Sequence, residues 1–271
     1  YFTATMQQTA QERMRIAAEL RDALIEKQFT LHYQPVVDLR TGEIRKAEAL
    51  IRWQHPTLGM VRPDKFIPIA EETGLIVGIG NWVFFEAARQ TAHWREKYHV
   101  DFQVSINKSP VQFRGEATDQ DAWFEHLQQL SLPGRSIVIE ITEGVLLDAA
   151  DITSVKLLRF RDAGMQVSLD DFGTGYSSLA YLKKFDIDYL KIDQSFVRNL
   201  SAESDDLAIC EAMIVMAHKL GLQVIAEGIE TEPQRDLLIA AGCDFGQGYL
   251  FSRPVPAADF EPLLRTAAPS A

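Results

Sequence analysis

The sequence predicts one α/β domain, a TIM-like (β/α)8 barrel with an antiparallel first strand, on three observations. Two β-rich runs with a very short connection open the sheet, short apolar runs then alternate with longer helical stretches, and the strands total eight. Eight strands with alternating helices in about 250 residues is the size of a single closed barrel.

The elements follow in order. Gln7 to Lys27 carries Met14, Ile16, Ala17, Leu20, Ala23, Leu24 and Ile25 near a helical period and reads as one amphipathic helix. Phe29 to Leu39 and Ile44 to Trp53 are strands, and the Arg40-Thr41-Gly42-Glu43 link makes them antiparallel neighbours. After Glu48 six more strands are expected: Phe102 to Asn107, Ser136 to Thr142, Gln166 to Asp170, Tyr189 to Asp193, Gln223 to Ala226 and Cys243 to Gly246. Their alternation with helices is the pattern of right-handed βαβ units. Asp151 reads as an N-cap of a helix closing at Gly164, another helix ends at Gly221, and Thr231 with Gln234 forms a capping box ahead of Gly242. An open doubly wound sheet is the alternative architecture. No repeat, low-complexity run or long linker divides the chain before the tail at 267–271.

Composition narrows the function classes. The 271 residues are 46% hydrophobic, enough for a sizeable core, yet no run of eighteen apolar residues or secretory signal occurs. A cytoplasmic segment without membrane contact of its own is expected. A formal net charge of −11 argues against a nucleic-acid duplex as partner, and a phosphate substrate would need help from metal ions. Cys210 and Cys243 have no metal-ligand spacing and read as ordinary buried thiols. The chain opens at Tyr1 rather than Met, which reads as a piece of something longer.

Polar residues mark where these strands end. In order they finish in Glu48, Asn107, Glu140, Asp170 with Asp171, Lys191, Glu227 and Gln247. In a closed barrel these converge on one mouth, the face where barrel enzymes keep their sites. A single acid after a strand is ordinarily a helix cap or a solvated loop residue. Seven strands in succession are a different matter. Five carboxylates in one mouth repel one another and imply bound cations; hard oxygen ligands, with His32, His55, His93, His99, His126 and His218 unclustered, favour Mg²⁺ or Mn²⁺ over Zn²⁺. Neighbours on a strand point to opposite faces, so Asp170 and Asp171 share a site only where the strand is distorted. Lys191 is either a structural ion pair or a group that orients or deprotonates water. Phe172-Gly173-Thr174-Gly175-Tyr176-Ser177-Ser178 suits either a mobile loop over the mouth or a tight turn into a helix from Ser177 to Lys183.

Glu48-Ala49-Leu50, followed by Ile51-Arg52-Trp53, resembles the signature of the EAL-domain family of cyclic di-GMP phosphodiesterases. The similarity extends through Tyr33-Gln34-Pro35, Asn107-Lys108-Ser109-Pro110, Glu140-Ile141-Thr142-Glu143, Asp170 to Leu179, Lys191-Ile192-Asp193, Ala226 to Glu230 and Gln247-Gly248-Tyr249, over roughly residues 13 to 265. The resemblance implies two Mg²⁺ or Mn²⁺ ions per site. One is held by Glu48, Asn107, Glu140 and Asp170; Asp170 bridges to the second, which Asp171 completes with Glu227 close by. It implies catalytic roles for Lys191, which holds the nucleophilic water, and for Glu48, Glu227 and Asp171. Gln34, Arg52, Leu50, Gln247 and Asp193 are implied as substrate-binding. Glu143 is implied as a brace for the loop containing Phe172, Gly173 and Thr174, which couples the metal site to a homodimer interface.

The reaction implied is metal-dependent hydrolysis of cyclic di-GMP to linear pGpG. The chain then divides into a connector helix at 1–15, an EAL phosphodiesterase domain at 16–266 and a tail at 267–271, with a GGDEF or sensory module upstream that can anchor the whole protein to a membrane. Two other readings compete: a non-catalytic cyclic di-GMP receptor, and a Mg²⁺-assisted enolising barrel enzyme, which also uses strand-end carboxylates and a Lys base.

Overall fold

The computed structural model describes residues 4–114, 118–147, 151–175, 182 and 185–266. Eight strands close a ring: β1 (Phe29–Asp38), β2 (Ile44–His55), β4 (Gln103–Asn107), β5 (Ile137–Thr142), β6 (Gln166–Phe172), β7 (Tyr189–Ile192), β8 (Gln223–Ala226) and β9 (Phe245–Gly246). β1 is antiparallel to both its neighbours, β2 and β9, and every other ring pairing is parallel. The barrel and its reversed first strand are as expected from the sequence, and the open sheet is set aside.

Two short strands escape the sequence reading. β3 (Gly59–Val61) pairs with the outer end of β2, and β10 (Val255–Pro256) with β1. At three and two residues they are too short to show a period.

β2 needs a correction. It runs on to His55, so Glu48 lies mid-strand, at the level where pairing with β4 stops after Ala49. The outer half of β2, from Leu50 onward, pairs only with β1 and β3. Glu140 likewise lies inside β5.

Helix α1 (Ala4–Ile25) is continuous across the expected boundary at residue 15. It buries Ile16, Leu20 and Ala23, and Glu19 Oε2 lies 3.0 Å from Nε2 of buried His55. Helices α2 (Pro63–Thr73) and α3 (Ile76–Lys97) follow β3 and cover the outside of β1, β2 and β4. Beyond them come α4 (Val111–Arg114), α5 (Thr118–Gln129), α6 (Glu143–Leu147) and α7 (Asp151–Asp162). The capping box at Thr231 and Gln234 is present, and the chain turns through positive φ at Gly164, Gly221 and Gly242 after the helices they close. The expected helix from Ser177 to Lys183 and the tail at 267–271 lie outside the described residues.

Apolar burial is split in two. The larger cluster fills the space between sheet and helices, where Trp94 stacks on Phe260 at 4.8 Å and Trp123 on Phe84 at 4.1 Å. The smaller comprises Val36, Val138, Tyr189, Ile225 and Phe245, one from each of five strands, and plugs the barrel lumen. No helix among the described residues is long and apolar enough to cross a membrane. Both cysteines are buried, and burial pushes the Cys210 thiol up to about 11 and that of Cys243 to about 12.

Candidate active site

The mouth of the barrel is built around a buried lysine. Lys191, 1% exposed, places Nζ 2.6 Å from Glu227 Oε1, 2.9 Å from Glu140 Oε2, 3.1 Å from Asp170 Oδ1 and 3.5 Å from Glu48 Oε2. Four strands thus deliver four carboxylates to one ammonium. Burial alone lowers a lysine pKa, but here the charges of Asp170, Glu140, Glu227 and Glu48 outweigh it and hold Lys191 well above its ordinary value. The ammonium form is the resident one.

The carboxylates are not equivalent. Burial pushes Glu140 well above the usual carboxylate range, and the neighbouring charge of Glu48 adds to it. Burial likewise raises Glu227, to about 7, with Lys191 opposing and Asp170 and Glu48 reinforcing. For Glu48, burial acts upward, yet Lys191 and the amide donors of Gln247 and Asn107 win and hold it below its ordinary value. Those amides grip both its oxygens: Asn107 Nδ2 donates to Oε1 at 2.7 Å and Gln247 Nε2 to Oε2 at 2.7 Å. Gln247 also donates to Gln34 Oε1 at 3.1 Å, and Gln34 in turn to the Ser252 carbonyl.

The Asp pair needs the distortion that its sequence implies. Pairing of β6 with β7 slips between Leu169 and Phe172, and Asp171 takes φ of 55°, a left-handed conformation rare outside glycine. Its backbone N–H then donates to Asp170 Oδ1 at 3.0 Å. Ligand oxygens of Asp170, Asp171 and Glu227 fall within 4.8 Å of one another, and no histidine belongs to this group. Burial and the charge of Asp170 raise Asp171.

Five carboxyl groups gather around one ammonium, and the raised Glu140, Glu227 and Asp171 register the excess of negative charge that results. A hard-oxygen donor set with that excess can hold divalent cations of the Mg²⁺ or Mn²⁺ kind.

Beside these groups lies a cavity of about 360 Å³, lined by Gln34, Glu48, Leu50, Asp170, Glu227 and Gln247 and by Gln194, Arg198, Glu230 and Tyr249. The last four were not expected as site residues. Tyr249 and Glu230 were at hand in the Gln247-Gly248-Tyr249 and Ala226 to Glu230 motifs, whereas nothing in the spacing singles out Gln194 or Arg198. A second cavity of about 300 Å³ is lined by Asn107 and Glu140 and walled by Leu50, Ile51, Ile67 and Ile79.

Some expected residues sit apart. Arg52 is half-buried, donates to its neighbour's carbonyl at Ile51 and lines neither cavity. Asp193 caps the helix Gln194–Val197 by accepting from Ser195 N at 2.9 Å. Glu143 opens α6, buried, with neither carboxylate oxygen partnered among the described residues. A Cβ at Gly175 would come 3.4 Å from Glu143 Oε2, so the loop through Phe172, Gly173 and Thr174 ends over it. The histidines serve elsewhere: His93 meets Glu261, His218 meets Asp244 and His55 meets Glu19.

Fold and site together define a (β/α)8 barrel with a lysine-centred carboxylate mouth able to take divalent cations. The chain belongs to a particular family of such barrels: residues 17–254 match the family described as EAL domain. It is 42% identical over 95% of its length to the bifunctional diguanylate cyclase/cyclic di-GMP phosphodiesterase MucR of Pseudomonas aeruginosa, and 41% identical over 96% to the cyclic di-GMP phosphodiesterase PdeR of Escherichia coli. It spans only 37% and 39% of those relatives' lengths. Among solved structures, the PaMucR phosphodiesterase in complex with c-di-GMP superposes with a TM-score of 0.86 at 42% identity, covering 91% of this chain and 99% of that one.

Proposed function

We propose that this domain hydrolyses cyclic di-GMP to linear 5′-pGpG with the help of two divalent cations. The observation that carries the reading is the Lys191-centred ring of Glu48, Glu140, Asp170 and Glu227 beside an open cavity of about 360 Å³. Family membership and the names of the relatives supply the substrate.

Glu48, Asn107, Glu140, Asp170 and Asp171 would hold the cations, with Glu227 alongside. Bound there, they would supply positive charge for the phosphate and lower the pKa of a water. The protein's own residues do the rest. Lys191, surrounded by its four carboxylate partners, donates hydrogen bonds and offsets charge developing on phosphorus-bound oxygen. Glu227, poised near pH 7, is suited to take a proton from the attacking water. The oxygen of that water bonds to phosphorus as the P–O3′ bond breaks, and the departing 3′ oxygen takes a proton from bulk water, to which Glu227 returns the one it received. Gln34 and Gln247 hold Glu48 in place and line the cavity with Leu50, while Arg52 stands on the outer half of β2 as a phosphate contact for a seated dinucleotide.

The same reading takes Glu143 as the brace of the 172–175 loop, a homodimer as the working form, and the segment as one module of a longer chain with GGDEF or sensory domains upstream. The partial coverage of the relatives supports the last point.

The test is incubation of purified protein with cyclic di-GMP and Mg²⁺ or Mn²⁺, with pGpG followed by chromatography. Product that disappears on chelation and in Glu48→Gln is the expected result. Tight binding of the dinucleotide without turnover under either metal would replace this reading with the receptor one.

A further inference from the structure

Asn107 presents its side chain from the end of β4. Lys108 after it is buried, with Nζ 4.3 Å from the centre of the Trp123 ring, whereas Asn107, Ser109 and Pro110 line the cavity of about 300 Å³. On the cavity side hydrogen bonds hold the segment. Lys108 N donates to the Glu140 carbonyl at 2.9 Å, Ser109 N to Gln112 Oε1 at 3.0 Å and Val111 N to Ser109 Oγ at 3.2 Å. A further tie reaches α2: Ser109 Oγ donates to Glu71 Oε1 at 2.7 Å.

Glu71 is an odd residue to find where it is. It lies in the last turn of α2, with Glu72 beside it and no basic residue in that turn. The carbonyl end of a helix carries partial negative charge, so a carboxylate there is locally disfavoured. A hydroxyl-to-carboxylate bond is among the stronger neutral-to-charged hydrogen bonds and can offset that penalty. Glu71 is half-buried, and this bond is the use the fold makes of it.

We propose that Glu71 is a positioning residue of the candidate metal site. Through Ser109 it anchors the segment that presents Asn107, and Asn107 in turn fixes one oxygen of Glu48 at 2.7 Å. The chain of contact runs from the last turn of α2 to the side chain at the centre of the site. Glu71 itself is not among the residues proposed to hold the cations. The inference rests on the proposed cation site, and its test separates the two.

The experiment measures Mn²⁺ binding to EDTA-stripped protein by the electron-spin resonance signal of free Mn²⁺, with thermal midpoints taken in EDTA on the same samples. Support-shell changes of this kind weaken metal affinity by about 10- to 100-fold. Glu71→Ala is expected to show that loss with an ion-free midpoint close to wild type. Glu71→Gln, whose amide oxygen still accepts from Ser109, is expected to retain most of the affinity. Ser109→Ala should reproduce Glu71→Ala, and the double variant should bind no more weakly than either single one, because both remove the same bond.

Unchanged Mn²⁺ affinity in Glu71→Ala and Ser109→Ala, or losses that add in the double variant, would overturn the inference while leaving the cation site standing. Absence of Mn²⁺ binding in the wild type would overturn both. Should Glu71→Ala fold poorly, Ser109→Ala and Glu71→Gln decide the matter by themselves.

Discussion

Replacing Lys191 by Met removes the ammonium but keeps the length of its buried stem, so it isolates charge from packing. Each carboxylate contact, at 2.6 to 3.5 Å, amounts to about 5 kcal/mol at an effective dielectric near 20. Summing four such contacts overshoots, because the site has a cheaper escape: one carboxylate takes a proton in place of the lost ammonium. Moving a proton onto a carboxyl of pKa near 4.5 at pH 8 costs about 5 kcal/mol, and at pH 5 less than about 1 kcal/mol. The destabilisation of Lys191→Met is therefore capped near those figures.

Its sign follows from linkage. In the variant the carboxylates have folded-state pKa values above their unfolded ones, so stability is present at low pH and lost as pH rises. Denaturant titrations of both proteins in EDTA at pH 5 and pH 8 are the assay. The deficit of Lys191→Met should grow by several kcal/mol between them, and Mn²⁺ added at pH 8 should shrink it. A deficit equal at both pH values would show that Lys191 matters as packing and would refute the charge argument.

Three further outcomes follow from the structure. Glu261 on the helix Ala257–Thr266 is held down to about 2 by Lys97 and Tyr98 of the α3 end, so its support exists above pH ~4.5 and fades as pH falls toward 2. Because the pair is exposed, Glu261→Gln should flatten that acid limb of stability by no more than about 1 kcal/mol. Cys210 and Cys243, buried and held as thiols, should react with Ellman's reagent only after unfolding. A Cβ at Gly248 would lie 2.1 Å from the Ile229 carbonyl oxygen, so Gly248→Ala should lower the thermal midpoint and displace Gln247 from Glu48, read as weakened Mn²⁺ binding.

What the sequence shows of all this depends on how local the cause is. The hairpin at Gly42, the capping box at Thr231 and the strand–helix alternation are set by neighbours in the chain, and the structure has them. β3 and β10 exist because β2 and β1 offer edges to pair with, which no run of three or two residues announces. The eight polar residues of seven strands are legible as a set, but the four-fold grip on Lys191 is not, since a lysine among acids also reads as a plain ion pair. Arg198 and Glu230 reach the cavity from connections whose path only the closed barrel defines.

One regularity ties the core to the site. Five strands each place a lumen-plugging residue two positions from a site residue: Val138 with Glu140, Tyr189 with Lys191, Ile225 with Glu227, Phe245 with Gln247, and Val36 with Gln34. A spacing of two keeps both on the inner face of a strand, one layer apart. In the four parallel strands the site residue follows its plug; in β1 it precedes it. That inversion is what a reversed strand requires if all five site residues are to reach the same mouth. The polar member of each pair is therefore placed by the burial of the apolar one. In β4 and β6 the lower position is a serine, Ser105 under Asn107 and Ser168 under Asp170, and in β2 it is Lys46 under Glu48, with Nζ 4.2 Å from the centre of the Tyr189 ring, which leaves the apolar plug to the other five strands. A one-residue slip of β5 or β7 would bring Ile139 or Leu190 into the lumen and turn Glu140 or Lys191 toward the apolar space under the helices. Register in this barrel is thus enforced by the cost of burying those charged side chains there, and the apolar layer fixes the level at which they gather.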